Sequence, residues 1–588
     1  MSGGVGGSRA PVTHQSRLLL GLAAVAVAFA AADTYVVVLA LPEMMRAAGV
    51  PLDELQRAAP IISGFLLGYV AMLPLIGRIA DLRGRVPVLV MALVLFAIGS
   101  AVTALAYDLP SMVTGRFLQG VGGGGLVPAT LALVADLYPA ERRGVPLGVV
   151  SAVQEIGSVI GPLFGAVVLA VADWRMIFAI NLAVGLVLAA AIRGLSGTVP
   201  VRRVPDLLGL LLLVVAGGAT ALTMLQPTAL KQDITLGSMF VPYAGDGRWF
   251  TPVGLTAVGV WAALFVRCLL AARPLVDLKG WWASLREADL VGAALLALSL
   301  SGVILAFATA DPRVEVFSDR GIYYLIGSLI AAIAFAVHLR RSSAPLVPRG
   351  ALAMRPAWGS LLVSFFIGAA LIAALIDIPI FARTTVYPDS QLLAALVLVR
   401  FLIALPVGAV IGGYLTRSLP AGVVTAVGML LAAVGFVLMS RWGLTSLEDA
   451  SSSVALVVGG FGFGLALAPV NAAVLSTTES AVHGLTSAFV VVARMVGMLV
   501  GISALTTLGL SRYYSEQDGM PSVREVCDGK SRCAEFTHLL KVAGIAQEQT
   551  VFTGAAICAV VAAVLAVVLF RGAPTRGLET RDLLRARG

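Results

Sequence analysis

The chain has 588 residues, of which 59% are hydrophobic and only 12% charged, and its mean hydropathy is +0.96. Soluble domains carry about 25% charged residues, so a chain of this length and composition cannot cover a water-facing surface. The composition therefore excludes soluble enzymes, nucleic-acid-binding proteins and disordered scaffolds, and four cysteines are too few for a disulfide scaffold.

Apolar runs of about 20 residues, long enough to span a bilayer, recur along the chain. We predict sixteen spans, at 17–43, 57–79, 86–107, 110–137, 144–171, 174–194, 206–226, 250–271, 288–309, 320–340, 357–382, 391–417, 420–440, 452–477, 482–511 and 548–571. The first is not a cleaved signal peptide, because it is longer than a usual signal core and carries Asp33 in its middle. The prediction is an all-α membrane protein. It has an N-terminal six-helix bundle (1–195), four linker transmembrane helices in tandem pairs (196–350) and a C-terminal six-helix bundle (351–588) with an outer loop at 512–547.

The net charge of +9 is best explained by membrane topology. An even number of spans puts both termini on one side of the membrane. If that side is the cytoplasm, 24 of the 41 Lys and Arg residues lie inside, 14 outside and three within spans. This excess follows the positive-inside rule. We therefore predict a multi-pass protein of the plasma (inner) membrane with cytoplasmic termini, bound to membrane lipids and not to nucleic acid.

The four middle helices contain an internal repeat. The first pair opens with DLLG at 206–209 and closes with RPLV at 273–276; the second opens with DLVG at 289–292 and closes with APLV at 344–347. This indicates a duplicated two-helix unit, with chance likeness between Leu- and Gly-rich spans as the alternative. No ionisable residue lies deep in these spans, so we interpret both pairs as scaffold or lipid-facing packing rather than a second transport site.

Four motifs in the first 200 residues carry a family resemblance: PLIGRIADLRGR at 74–85, GRFLQGVGGGG at 115–125, GSVIGPLFG at 157–165 and DWRMIFAIN at 173–181. In order and on the expected spans, they resemble signatures of the major facilitator superfamily. The segment DTYVVVLALP at 33–42 resembles the first-helix motif of its 14-span drug:proton antiporter branch. The resemblance implies the major facilitator fold, with two six-helix bundles joined here by two pairs of linker helices.

Three further segments narrow the resemblance: VQEIGSVIGPLFG at 153–165, FLIALPVGAV at 401–410 and VVVARMVGMLVG at 490–501. They are similar to the mycobacterial-type triacylglyceride exporters, which move lipids toward the cell envelope with a periplasmic lipoprotein partner. That group has one linker pair, so the second pair here departs from its pattern. The resemblance implies a lipid or other hydrophobic small molecule as substrate, and a periplasmic lipoprotein as a partner.

Mid-membrane charges are the main functional signal, because each costs at least about 2.5–3.5 kcal/mol to insert. Asp33, Glu155 and Arg494 lie deep in their spans, the last two at nearly the same depth. In the family pattern, Glu155 and Arg494 occupy equivalent positions in the two halves and line the central cavity. We predict that the three couple transport to protons. Arg116, by resemblance the fourth-helix Arg of the family, relays charge to Asp33 or to neighbouring backbone. A fixed buried ion pair that only locks helix packing is the alternative.

The resemblance also implies a conformational latch made of Gly77, Asp81, Gly84 and Arg85. In the family pattern the loop Asp faces the start of the eleventh core helix, here near 482–485, where the helix dipole attracts an anion. Such a latch holds the outward-open state. A solvated basic turn that serves only topology is the alternative.

The remaining candidates are structural. We predict a small-residue helix-packing motif at Gly157, Gly161, Pro162 and Gly165, an outer ion pair between Asp377 and Arg400, and a disulfide between Cys527 and Cys533. We expect no metal site and no cofactor. The chain has no Walker motif and no nucleophile elbow, which argues against an ATP-driven pump or an enzyme.

The sequence thus predicts a secondary active transporter that works by alternating access. We expect it to be coupled to protons and to export lipids such as triacylglycerides, or other hydrophobic compounds. A multidrug:proton antiporter is the alternative within transport. A non-transporting membrane receptor or assembly factor on the same fold is the alternative outside it.

Overall fold

A computed structural model describes residues 14–50, 55–139, 142–196, 206–308, 320–388, 390–528 and 533–575. Its helices are α1 (His14–Ala47), α2 (Leu55–Arg83), α3 (Arg85–Leu105), α4 (Leu109–Leu137), α5 (Gly144–Val171), α6 (Arg175–Leu195), α7 (Leu207–Leu225), α8 (Thr228–Lys231), α9 (Pro252–Leu270), α10 (Leu278–Glu287), α11 (Leu290–Ala308), α12 (Gly321–Arg341), α13 (Arg355–Thr384), α14 (Gln391–Leu415), α15 (Ala421–Met439), α16 (Ala450–Thr477), α17 (His483–Asp518), α18 (Val523–Val526) and α19 (Ala534–Leu569).

Sixteen of these helices are long, and each coincides with one predicted span. Within the described residues, fifteen are long and apolar enough to cross a membrane. The sixteenth is α5, with 28 residues. Helices dominate because lipid offers no partner to an unpaired backbone N–H or C=O group, whereas a helix satisfies these groups internally.

The long helices form two halves and two linker pairs. In the first half, α1 packs on α5, α2 and α3 on α4, and α3 on α6. In the second half, α13 packs on α17 and α19, α14 and α15 on α16, and α15 on α19. The halves meet where α5 contacts α14 and where α2 contacts α17. We call the end of the bundle with the α2–α3 turn at Gly84 the Gly84 end, and the other the opposite end.

The linker repeat has a structural counterpart in the hydrogen bonds of two aspartates. Asp206 accepts a hydrogen bond from the Gly209 amide at 3.0 Å and binds Arg267 of α9 at 2.7 Å. Asp206 therefore caps the first helix of its pair and binds the second helix.

Asp289 repeats this pattern in the second pair. It caps α11 through the Gly292 amide at 3.0 Å, contacts His338 of α12 at 2.8 Å and accepts from the Leu346 amide at 2.9 Å. Leu275 and Leu346 occupy the same position in the two closing motifs. The two pairs therefore share one cap and one contact from the capping aspartate to the second helix, which favours duplication over chance likeness.

The predicted outer loop at 512–547 is wrong in its secondary structure. α17 continues to Asp518 and α19 begins at Ala534, so each helix has 36 residues. At about 1.5 Å per residue such a helix is about 54 Å long, against roughly 30 Å for the bilayer core. Both helices therefore extend beyond the membrane at the opposite end.

Candidate functional site

A cavity of about 390 Å³ lies between the two halves and is lined mostly by apolar side chains. α1, α2, α4 and α5 line it from the first half, and α13 and α17 from the second. One further lining residue, Phe307, comes from α11 of the second linker pair. A largely apolar pocket with a few convergent polar groups is typical of a ligand site.

Glu155 and Arg494 face this cavity from opposite halves. Both line it and both are buried, with 7% and 9% of their surfaces exposed. They attract each other electrostatically, and Tyr69, also on the wall, interacts with both charges. Within the described residues, Glu155 and Arg494 do not form an ion pair with an N···O distance of 4.0 Å or less. The carboxylate is therefore positioned either to take a proton or, after a small movement, to pair with the guanidinium.

Asp33 lies in a separate network inside the first half. Arg116 forms an ion pair with its carboxylate at 2.6 Å, and the Asn181 and Gln119 amides donate to the same group. Its side chain does not belong to the cavity lining, whereas Arg116 does, with its guanidinium 4.4 Å from the centre of the Phe65 ring. The predicted grouping of Asp33 with Glu155 and Arg494 is therefore wrong in its geometry: Arg116 lies between Asp33 and the cavity.

Sequence reasoning missed three polar residues of this region. Gln119 lies three residues after Arg116 on α4 and accepts a hydrogen bond from it at 2.8 Å. Asn181 closes the motif at 173–181, which was the available signal for it. Tyr69 gave none, because an aromatic residue in an apolar span is ordinary. Hydrogen bonds satisfy the buried Asp33 charge from several sides, as buried charges require.

Asp81 bridges the two halves at the Gly84 end. Its carboxylate accepts hydrogen bonds from the Gly484 amide at 2.8 Å and the Leu485 amide at 3.0 Å, at the start of α17. Arg85 pairs with Asp81, donates to the Ser480 carbonyl at 3.1 Å and lies 3.3 Å from Asp136. Asp81 thus lies at the helix start where the sequence predicts it, and its role as a latch stays a prediction.

Glycines allow the halves to approach closely at this end. A Cβ atom on Gly77 would lie 2.5 Å from the Gly484 carbonyl, and one on Gly144 of α5 would lie 2.2 Å from the Gly413 carbonyl of α14. Gly84 adopts a φ of +92°, which favours glycine. Both contacts between the halves are therefore closed at the Gly84 end.

Side chains from the linker region also contact the α2–α3 turn. Arg83 donates to Asp277 at 3.1 Å, and its guanidinium lies 4.5 Å from the centre of the Trp281 ring on α10. The Gly280 amide, and to a smaller extent Arg83, hold the pKa of Asp277 below its usual range. The short helix α10 therefore connects the second linker pair to the Asp81 contacts.

The predicted packing motif lies against α1. A Cβ atom on Gly157 would lie 2.1 Å from the Ala28 carbonyl, and one on Gly161 would lie 2.4 Å from the Ala32 carbonyl. Gly165 is buried on the same helix, and the Pro162 side chain lies outside the described residues. Small residues permit close helix contact in lipid, where packing drives association.

The predicted outer ion pair between Asp377 and Arg400 is wrong. Arg400 is exposed and donates to the Ser453 hydroxyl at 3.2 Å. Asp377 is buried between α13 and α19, where its carboxyl group lies close to that of Glu548. The orientation of α13 about its axis points Asp377 toward Glu548 and not toward Arg400. Two carboxyl groups placed this close are stable together when they share one proton.

The predicted disulfide is present in the structure. Cys527 and Cys533 are joined by a disulfide at the tip between α17 and α19. Cys268 and Cys558 are free thiols. Over the described ranges, no group of three His, Cys, Asp or Glu side chains has the arrangement of a metal site.

Comparisons with known proteins agree with this architecture. The profile described as Major Facilitator Superfamily matches residues 23–502. A triacylglyceride transporter of Mycobacteroides abscessus is 32% identical over 544 residues, covering 91% of this chain and 90% of that protein. One of Mycolicibacterium smegmatis is 33% identical over 507 residues, covering 84% and 76%.

Two solved structures share the fold at 14% identity. The proton:xylose symporter XylE has a TM-score of 0.53 and covers 97% of this chain and 98% of its own. The human organic anion transporter MFSD10 has a TM-score of 0.52 and covers 94% and 99%.

Proposed function

Because the chain belongs to the major facilitator superfamily and is a secondary transporter, we propose that it exports triacylglycerides or similar lipids across the plasma membrane, driven by protons. The observation that carries this proposal is the largely apolar cavity between the halves, in which Glu155 faces Arg494. The names of its relatives at 32–33% identity supply the lipid class.

The Gly84 end is the cytoplasmic end in this proposal, with both termini inside. The excess of Lys and Arg on that side supports this orientation. The contacts of Asp81 and the glycine contacts then close the cytoplasmic side. The described conformation is therefore one in which the cavity is shut off from the cytoplasm, and release of the Asp81 contacts opens it inward.

Glu155 is the proton carrier in the proposed cycle. Desolvation favours the neutral form of a buried carboxyl group, whereas a nearby guanidinium favours the charged form. A proton from outside neutralises Glu155 and frees Arg494; loss of that proton to the cytoplasm restores the attraction between them. Arg stays charged throughout, which makes it a reliable competitor for the carboxylate.

A periplasmic lipoprotein is the proposed acceptor of the exported lipid. The extensions of α17 and α19 beyond the bilayer, with the Cys527–Cys533 disulfide in the segment between them, support such a contact. They offer a surface outside the membrane at the end where the lipid leaves.

A multidrug:proton antiporter is the second candidate function. A buried carboxylate on an apolar wall also suits an amphipathic cation, which Glu155 would bind directly. In that case Glu155→Gln abolishes drug resistance and leaves envelope lipid unchanged. In the lipid proposal the same variant lowers lipid export.

Reconstitution tests both readings and the non-transporting alternative. The purified full chain is placed in vesicles containing a fluorescent triacylglyceride or an amphipathic cationic dye, with an imposed proton gradient. We expect gradient-dependent movement of the lipid and no movement of the dye. Absence of flux for both compounds, in protein that remains folded, would support a receptor or assembly factor.

A further inference from the structure

The two linker pairs occupy different places on the bundle. α7 and α9 contact each other and touch the first half only slightly, through α3. α11 instead packs along α2 and also contacts α17. Because the halves meet most extensively along α2–α17 and along α5–α14, α11 lies over one of the two largest contacts between them.

Phe307 near the end of α11 contributes to the wall of the central cavity. It lines that wall together with Ile62 and Ser63 of α2 and Ile502 and Ser503 of α17. The interpretation of both linker pairs as scaffold or lipid-facing packing is therefore incomplete for α11, which also contributes to the cavity wall. α11 thus contributes one side chain to the cavity and contacts both α2 and α17 beside it.

α11 is held firmly against α12. A Cβ atom on Gly302 would lie 2.6 Å from the Tyr324 carbonyl, so the helices touch at their backbones. The Ser328 hydroxyl donates to the Ser299 carbonyl at 2.6 Å, and Asp289 ties the start of α11 to α12. Close backbone contact and buried hydrogen bonds are the main forces that hold helices together in lipid.

The α5–α14 side has a different construction. The contact there includes Gly144, Gly148 and Gly413, each against backbone atoms of the opposite helix. Val410, next to the Gly148 contact, is 38% exposed. Among the described helices, neither linker pair packs on α5 or α14 at the level of the α11 contacts.

From this difference we infer that α11 permanently closes the lateral opening between α2 and α17, so that a hydrophobic substrate passes between membrane and cavity only on the α5–α14 side. The inference rests on the proposed lipid transport and names the route that the lipid takes. A transporter whose second linker pair is a fixed wall has one lateral opening instead of two.

Photo-crosslinking locates the route. A benzophenone amino acid replaces either Val410 on α14 or Leu298, which is 61% exposed on α11. Each variant is reconstituted as a full chain with a radiolabelled triacylglyceride, and capture is measured with increasing unlabelled triacylglyceride. Saturable capture marks a route, whereas capture of bulk lipid does not saturate.

We expect saturable capture at position 410 and only bulk capture at 298. Saturable capture at 298, alone or together with 410, would overturn the inference, as would bulk capture at both positions in protein that transports the lipid. Wild-type protein is assayed in the same vesicles. If it moves no lipid at all, the proposed function itself fails, which separates the two failures.

Phe307→Ala provides a second test of the wall. We expect it to lower lipid transfer about tenfold, the equivalent of about 1.4 kcal/mol for one lost aromatic contact. Phe265→Ala is the matched control, because Phe265 is 56% exposed on α9 of the first pair. Phe307→Leu should restore most of the transfer if folding is intact. Equal transfer by Phe307→Ala and Phe265→Ala would contradict a role for α11 in the wall.

Discussion

Asp81→Asn should release the start of α17 from α2. The carboxylate is buried and accepts hydrogen bonds from the amides of Gly484 and Leu485. Hydrogen bonds to a charged group contribute about 1.5–3 kcal/mol each, and the helix dipole adds to them. Asn keeps one oxygen for one amide but loses the charge. We therefore expect the closed contact to lose about 2 kcal/mol, roughly a thirtyfold shift toward the open form.

Hydrogen–deuterium exchange reads this shift directly at the two amides. The peptide that covers the start of α17 should exchange roughly thirtyfold faster in Asp81→Asn than in wild type, the factor that about 2 kcal/mol corresponds to. Asp136→Asn is the matched control. It removes a carboxylate 3.3 Å from the same Arg85, but Asp136 is 44% exposed. Unchanged exchange in Asp81→Asn, or an equal increase in Asp136→Asn, would refute the latch.

Three further substitutions test other contacts. Asp33→Asn leaves the buried Arg116 charge without its carboxylate, so thermal unfolding in detergent should show a loss of about 3–5 kcal/mol in the free energy of unfolding. Adding Arg116→Met to the same chain should restore part of this loss. No restoration would contradict a direct ion pair. Asp277→Asn removes a half-exposed partner and should cost only about 0.2–1 kcal/mol, seen as slightly faster exchange in the α2–α3 turn. Because the pKa of Asp277 is lowered, its contact should persist as pH falls to about 3.9 and be lost only below that value. Arg400→Met should change the free energy of unfolding by less than about 0.5 kcal/mol. A large loss would instead support the predicted ion pair with Asp377, which does not occur in the structure.

The helices and the family signatures were predictable from the sequence because both are local properties of the chain. A run of apolar residues needs no partner to be recognised as a span. Asp81 could be assigned to the start of α17 because its motif, PLIGRIADLRGR, is specific and carries its geometry with it. Glu155 and Arg494 were found because a charge in an apolar span is conspicuous.

The two wrong groupings of charged residues, Asp377 with Arg400 and Asp33 with Glu155, concern the rotation of helices about their axes. Position along a span gives the depth of Asp377 and Arg400 in the membrane, but not the direction in which each side chain points. Glu548 lies near the start of a predicted span and gave no reason to connect it with Asp377. For the same reason depth alone grouped Asp33 with Glu155, although Asp33 faces the interior of the first half.

The helix extensions and the position of α11 required the folded chain for other reasons. Polar segments such as SRYYSEQD at 511–518 form helix outside the bilayer without an apolar signal. The α11 span looks like any lipid-facing helix, because its Phe307 is one apolar residue among many. Only packing against α2 and α17 distinguishes it from the helices of the first linker pair.

The most direct test of the central claim is the rate of fluorescent triacylglyceride transfer in proteoliposomes, with and without a proton gradient, for wild type and Glu155→Gln. The account predicts that the gradient accelerates transfer by wild type and has no effect on Glu155→Gln in protein of equal stability. Proton coupling through this carboxylate would be contradicted by a wild-type transfer rate that is the same with and without the gradient. It would also be contradicted if the gradient accelerated transfer by Glu155→Gln as much as transfer by wild type.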